Sequence, residues 1–152
     1  MGEAGVGGRV TAGYSGTPLP RKLGITPGTR VALIDAPPLF DAVLGALPED
    51  VTVRTSLRGD PPHVVVCFVT ERRALTRRIE ALGRAIFPDG AAWIAWPKRA
   101  SRITTDMTED VVRAVALPLG LVDNKVCTID MTWSGLRLVW RRERRTRRPP
   151  IA

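Results

Sequence analysis

Apolar residues along the chain fall into two repeating arrangements, one with strand character and one with helix character. RVALID (30–35) reads as a first strand after the turn TPGTR, and VTVRTSL (51–57) as a second, with alternating apolar positions. HVVVCFV (63–69) and GAAWIAW (90–96) run apolar without alternation, as strands covered on both faces do. Helical spacing is present in PPLFDAVLGAL (37–47), through Leu39, Phe40, Val43, Leu44 and Leu47. Pro37 or Pro38 would occupy its first turn, where a missing N–H costs nothing. The clearest helix is ERRALTRRIEALGRAIF (71–87). Leu75, Ile79, Leu82 and Ile86 form its buried stripe, and Arg72, Arg73, Arg77, Arg78 and Arg84 decorate the rest. A third helix opens at Thr108, with Glu109 and Asp110 in its first turn, and is stopped by Gly120. LVDNKVCTID (121–130) and LRLVW (136–140) are strands joined by the turn MTWSG, hence a hairpin.

Strands alternating with helices predict a mostly parallel sheet covered on both sides. With a C-terminal antiparallel hairpin, the expected class is α/β, a Rossmann-like three-layer sandwich of the methyltransferase-like variant. One link resists this scheme. Residues 57–63 are short for a parallel crossover, which needs about a dozen residues or more. Either the strand 51–57 runs antiparallel, or a helix–strand–helix unit has been lost and the loop spans the gap differently. The expected division is a disordered N-terminus over 1–12, an α/β domain over 13–140 and a basic disordered tail over 141–152.

Composition changes this picture in three places. No apolar run approaches the length of a membrane span, and the N-terminus lacks the pattern of a secretory signal, so the expected location is the cytoplasm. The two cysteines, Cys67 and Cys127, lie in apolar stretches and read as small core residues. With His63 the only histidine and no CxxC, a metal site is not expected. The net charge of +8 suggests an anionic partner, but its distribution narrows that suggestion. RRERRTRR (141–148) holds six arginines and one glutamate, so +5 of the +8 lies there and about +3 remains for the body.

Several blocks have a distinctive look: GYSGTPLPRKLGI (13–25), AWPKRASRITTDMTEDVVR (95–113), ALPLGLVDNKVCTID (116–130) and TWSGL (132–136). Together they resemble a mainly actinobacterial family, the domain of unknown function numbered 3052, over roughly residues 12–140. The resemblance implies no activity. It does imply DETWSGL where this chain reads DMTWSGL, so Met131 replaces a carboxylate and no role that needs an acid there carries over.

Open α/β sheets bind ligands beyond the carboxyl ends of their parallel strands. Three loops would meet at that rim. They carry Asp35 after the first strand, Glu71 after the third, and after the fourth the loop with Lys98, Arg99, Ser101, Arg102, Thr104, Thr105 and the helix start at Thr108. Cations, hydroxyls and a helix N-terminus make this an anion-site candidate. The competing reading is a solvated loop whose cations pair with Asp106, Glu109 and Glu71. Asp35 and Glu71 also form a possible carboxylate pair, but no nucleophile–base pair assembles and no catalytic residue is assigned. Nucleotide cofactors need a glycine-rich turn after the first strand. IDAPPLF offers two prolines instead, and no GxGxxG occurs, so neither S-adenosylmethionine nor NAD is expected and no cofactor is assigned. Trp133 and the other three tryptophans read either as core or as an exposed face for a partner. Arg141, Arg142, Arg144, Arg145, Arg147 and Arg148 are a candidate for nonspecific nucleic-acid contact or simply a solubilising tail. The functional expectation is a non-catalytic binding module for a small anionic ligand or a macromolecular partner. The alternatives are an enzyme of unknown substrate on a Rossmann-like scaffold, or nucleic-acid binding through the tail.

Overall fold

The computed structural model of the chain describes residues 16–146. The N-terminal segment 1–12 expected to be disordered, and Arg147 and Arg148 of the tail, lie outside the described residues. Six strands form one sheet: β1 (Arg30–Ile34), β2 (Thr52–Arg54), β3 (Val64–Phe68), β4 (Ala91–Pro97), β5 (Leu121–Thr128) and β6 (Trp133–Trp140), in the spatial order β2-β1-β3-β4-β6-β5. β2, β1, β3 and β4 are mutually parallel, and β6 runs antiparallel to both neighbours. This order, reversing between β1 and β3 and ending in an antiparallel pair, is the methyltransferase-like Rossmann arrangement. No helix among the described residues is long and apolar enough to cross a membrane.

The short link is resolved in favour of a parallel second strand. β2 pairs only Thr52–Arg54 with Arg30–Ala32, so it stops halfway up the sheet. The chain therefore descends only about 10 Å to begin β3. His63 then docks that start, its N–H donating to Arg30 O and its Nδ1 accepting from Arg30 N.

Two helices cover each face. α3 (Arg72–Ile86) and α4 (Glu109–Ala116) lie on one, burying Leu75, Ile79, Leu82, Ile86, Val112 and Ala116 against the sheet. α1 (Leu19–Lys22) and α2 (Phe40–Leu44) lie on the other, with Leu23, Phe40 and Leu44 in the core. α2 is shorter than its apolar spacing predicts. Pro38 disfavours the helical region at Pro37, the residue before it. Leu39 then turns left-handed at φ 69° and points to solvent, so the helix begins only at Phe40. The hairpin turn also differs from MTWSG. Asp130 Oδ1 accepts the N–H groups of Thr132 and Trp133, both at 2.8 Å, and this Asx turn starts β6 at Trp133.

All four tryptophans belong to the core. Trp93 donates its indole N–H to Leu23 O on one face, and Trp140 donates to Gly83 O on the other. Gly135 lies where β6 passes beneath Trp93 and Ile129. A Cβ there would stand 3.0 Å from Ile129 Cδ1 and 3.2 Å from Trp93 Cε3. We expect Gly135→Ala to cost about 1–3 kcal/mol of stability through overpacking, read as a lower urea midpoint at unchanged slope. An unchanged midpoint would show that Ile129 yields freely.

The tail departs from a detached disordered segment in its first residues. Arg141 N donates to Gly120 O, Arg142–Arg144 form a 3₁₀ turn, and Arg145 Nε donates to Trp140 O. The Arg144 guanidinium lies over Gly120, 3.0 Å from where a Cβ would stand. Gly120, at φ 98°, supplies both the left-handed end of the preceding turn and the space for that guanidinium.

Candidate functional site

The loop from Pro97 to Thr108 is built by its own hydroxyls. Lys98 N donates to Thr132 O at 2.7 Å, continuing the sheet for one more residue. Ser101 Oγ donates to Lys98 O and accepts from Ile103 N, closing a 3₁₀ turn that Arg102 leaves in the left-handed region. Thr105 Oγ1 donates to Thr70 O at 2.6 Å and accepts from Met107 N, tying the loop to the end of β3. Asp106 Oδ1 accepts the N–H of Arg72 at 2.7 Å, so a carboxylate already caps the start of α3. Met107 is buried among core residues, and Thr108 caps α4 through Val111 N.

These contacts revise the sequence expectation residue by residue. Ser101 and Thr105 spend their O–H donors on backbone carbonyls, so they are framework rather than ligand donors. Thr104 shares the cavity wall with Thr108, whose O–H still has donor capacity. Lys98, Arg99 and Arg102 form no ion pair among the described residues, contrary to the solvated-loop reading. The acids proposed for them are engaged elsewhere: Glu109 with Arg113, Glu71 with Arg73, and Asp106 with the Arg72 amide. Asp35 is engaged by Arg78 at 2.7 Å and Glu71 by Arg73 at 3.3 Å, so each carboxylate of the possible pair has a cationic partner of its own.

The loop borders an open cavity of about 490 Å³ at the carboxyl rim. Arg99, Thr104, Asp106, Thr108 and Glu109 supply its polar wall, and Trp96, Ile103 and Met107 its apolar wall. Asp106 and Glu109, which the sequence offered only as partners for the loop cations, belong to the wall itself. Glu109 is held with Asp110 and Asp123 around one guanidinium, Arg113. Hydrogen bonds from Glu109 and then Asp123 push Arg113 above its ordinary range.

No thiol nucleophile stands nearby. Burial pushes the Cys67 thiol up to about 12 and keeps it protonated at neutral pH. Burial also raises Cys127, against the opposing pull of Lys22 and Lys98. Among the described residues, no cluster of three or more His, Cys, Asp or Glu side chains has the arrangement to hold a metal.

The switch point lies between β1 and β3, where the strand order reverses. Contacts flank it on both faces. On the α2 face Phe40 packs edge-on against Phe68, with centroids 4.9 Å apart, and Phe68 packs likewise against Trp133 at 5.1 Å. On the α3 face the Arg78–Asp35 ion pair joins the helix to the first-strand turn.

Compared with protein-family models and with curated proteins, the sequence matches none. Solved structures do match in fold. TrmN from Thermus thermophilus superposes with a TM-score of 0.50 at 10% identity, over 81% of this chain and 47% of that one. The release-factor-specific protein-(glutamine-N5) methyltransferase from Alicyclobacillus acidocaldarius gives 0.48 at 18% identity, over 82% and 91%. The fibrillarin pre-rRNA processing protein from Methanococcus jannaschii gives 0.47 at 11% identity, over 82% and 69%. The chain thus spans about half the length of TrmN, and the likeness is one of fold. It corrects the expectation of a non-catalytic binding module: the scaffold is that of Rossmann-fold methyltransferases, and of the sequence's alternatives the enzyme is the one carried forward.

A nucleoside cofactor, which this fold implies, does not fit the residues present. Its phosphate- or carboxylate-bearing part is held by free N–H groups of the first-strand turn, and its ribose by an acid ending the second strand. Here Pro37 and Pro38 have no N–H, and Phe40 N already donates to Pro37 O at 3.2 Å. The second strand ends at Arg54, whose guanidinium donates to Ser56 O and Asp60 O.

Proposed function

We propose that the chain is an enzyme on the methyltransferase-like scaffold, and that it acts on a small anionic substrate in the cavity between Trp96 and Glu109. The observation that carries this reading is Arg99, which lines the cavity with no ion-pair partner among the described residues, beside the carboxylates Asp106 and Glu109. An exposed guanidinium without an ion pair can take an anion by charge and forked hydrogen bonds. Lys98 and Arg102, on the same loop, raise the local potential and steer that anion inward. Asp106 Oδ1 is fixed by the Arg72 amide, so its second oxygen is held in place to move a proton on the bound substrate. Glu109 is tied to Arg113 and serves to position rather than to exchange protons. The shared fold with TrmN supports an enzyme, and the two prolines of the first-strand turn support one without a nucleoside cofactor in that crevice. A cytoplasmic setting belongs to the same reading, supported by two cysteines that stand as free thiols.

The test is turnover. The full chain is incubated with mixtures of phosphorylated and carboxylated metabolites, with and without S-adenosylmethionine, and mass spectrometry follows which compounds change. Turnover without S-adenosylmethionine is expected. Arg99→Ala should raise KM about tenfold to a hundredfold, the worth of one charged hydrogen bond. Turnover that requires S-adenosylmethionine would overturn the cofactor-free part of the reading. An Arg99→Ala variant with unchanged KM would remove the cavity from the reaction.

A further inference from the structure

The opposite rim of the sheet carries a second charged feature, independent of the cavity. β6 ends at Trp140, which lies opposite Leu121, and Leu138 lies opposite Ala92, near the start of β4. The chain beyond Trp140 therefore emerges at the amino end of the parallel strands. Arg141, Arg142, Arg144 and Arg145 gather there, and Arg137 precedes them on β6.

Three of these arginines are fixed in place rather than mobile on a tail. Arg141 is held through its amide on Gly120 O, Arg144 by lying over Gly120, and Arg145 by its Nε bond to Trp140 O. Their like charges are brought together without matching acids. None of the five forms an ion pair among the described residues, and Glu143 is the only acid between Arg137 and Thr146. Burial and then the nearby Arg145 charge pull Arg137 below its ordinary range, which registers the crowding. Gathering cations costs free energy in the isolated protein, and an anion spanning several of them returns it. The exposed turn carries no aromatic side chain, because Trp140 is fully buried, so it offers no stacking surface for unpaired bases.

We infer that the arginines around the end of β6 form a docking platform for the phosphodiester backbone of double-stranded nucleic acid. Arg142 and Arg144, both exposed on the 3₁₀ turn, contact phosphates directly, while Arg137, Arg141 and Arg145 supply the surrounding potential. Contacts to phosphate carry no base readout, so binding is independent of sequence.

Fluorescence anisotropy of the full chain on labelled DNA and RNA duplexes of unrelated sequence, across a salt series, tests this. The two phosphate contacts would weaken binding about 12-fold between about 50 and about 200 mM salt. Arg142→Ala with Arg144→Ala should make the log–log salt slope about 1.8 shallower and weaken binding about 60-fold near 0.1 M salt. Arg142→Ala alone, at an exposed position with no structural bond, should give about half that slope change and guards against a folding defect in the double variant. Arg147→Ala with Arg148→Ala is the comparison in the segment beyond the platform. Unchanged binding in the Arg142 and double variants, with loss in the Arg147/Arg148 variant, would overturn the platform. So would binding to phosphatidylserine–phosphatidylcholine vesicles in place of duplexes, which would make the surface a membrane contact. Comparing DNA with RNA identifies which duplex supplies the phosphates, and binding to either supports the inference.

Discussion

Trp140→Ala is expected to lower the unfolding free energy by about 3–5 kcal/mol, the range for truncating a large buried aromatic. Trp140 is fully buried at the end of β6, on the face covered by α3. Its indole N–H donates to Gly83 O at 2.8 Å, and its ring meets Phe87 edge-on with centroids 5.9 Å apart. Three losses therefore coincide: buried area, the aromatic contact, and the partner of a helix-end carbonyl. Trp140→Phe separates them, since it keeps a ring against Phe87 while orphaning Gly83 O, and should cost about 1–3 kcal/mol. Urea unfolding at constant slope measures both. A loss below about 1 kcal/mol in the alanine variant would mean that α3 collapses into the space, contrary to the close packing on this face.

The same residue shows how far the sequence reads. The strand ending in Trp140 was legible from LRLVW, and the apolar runs around Val66 and Ile94 announced a sheet covered on both faces. α3 was legible because four aliphatic residues recur on one side of a helix rich in arginine. What pattern did not reveal is set by contacts between distant residues. The direction of β2 depends on its ending opposite Ala32, a fact of pairing rather than of composition. The docked start of the tail depends on Gly120 leaving room for Arg144, although the two are far apart in sequence. In the candidate site the cations were legible and the partners of the acids were not. Asp106 was read as one of several acids ready to pair with loop cations, yet it spends an oxygen on the first amide of α3. The hydroxyls of Ser101 and Thr105 looked like ligand donors for a similar reason: their carbonyl partners, Lys98 O and Thr70 O, leave no periodic trace.

Asp106→Asn is expected to lower kcat on the substrate identified by turnover by about 10²–10⁴-fold, the usual contribution of a positioned proton-transfer group. The substitution is chosen because it leaves the frame intact. Asn keeps an oxygen that accepts the Arg72 N–H, so the cap of α3 persists and stability should change by less than about 1 kcal/mol. What it removes is the ability of the second oxygen to take up or release a proton. If Asp106 only shaped the loop, Asn would serve nearly as well, and kcat would stay within a few-fold. Thr105→Val provides the opposite control. It breaks the bonds to Thr70 O and from Met107 N, loosening the loop from β3 without touching the carboxylate. It should therefore cost about 1–3 kcal/mol of stability with a smaller loss of kcat than Asp106→Asn. Glu109→Gln is the discriminating third variant, because Glu109 shares the cavity wall but is committed to Arg113. A folded Asp106→Asn protein with full kcat, beside a Glu109→Gln protein with none, would transfer the proton-moving role to Glu109 and leave Asp106 as a helix cap.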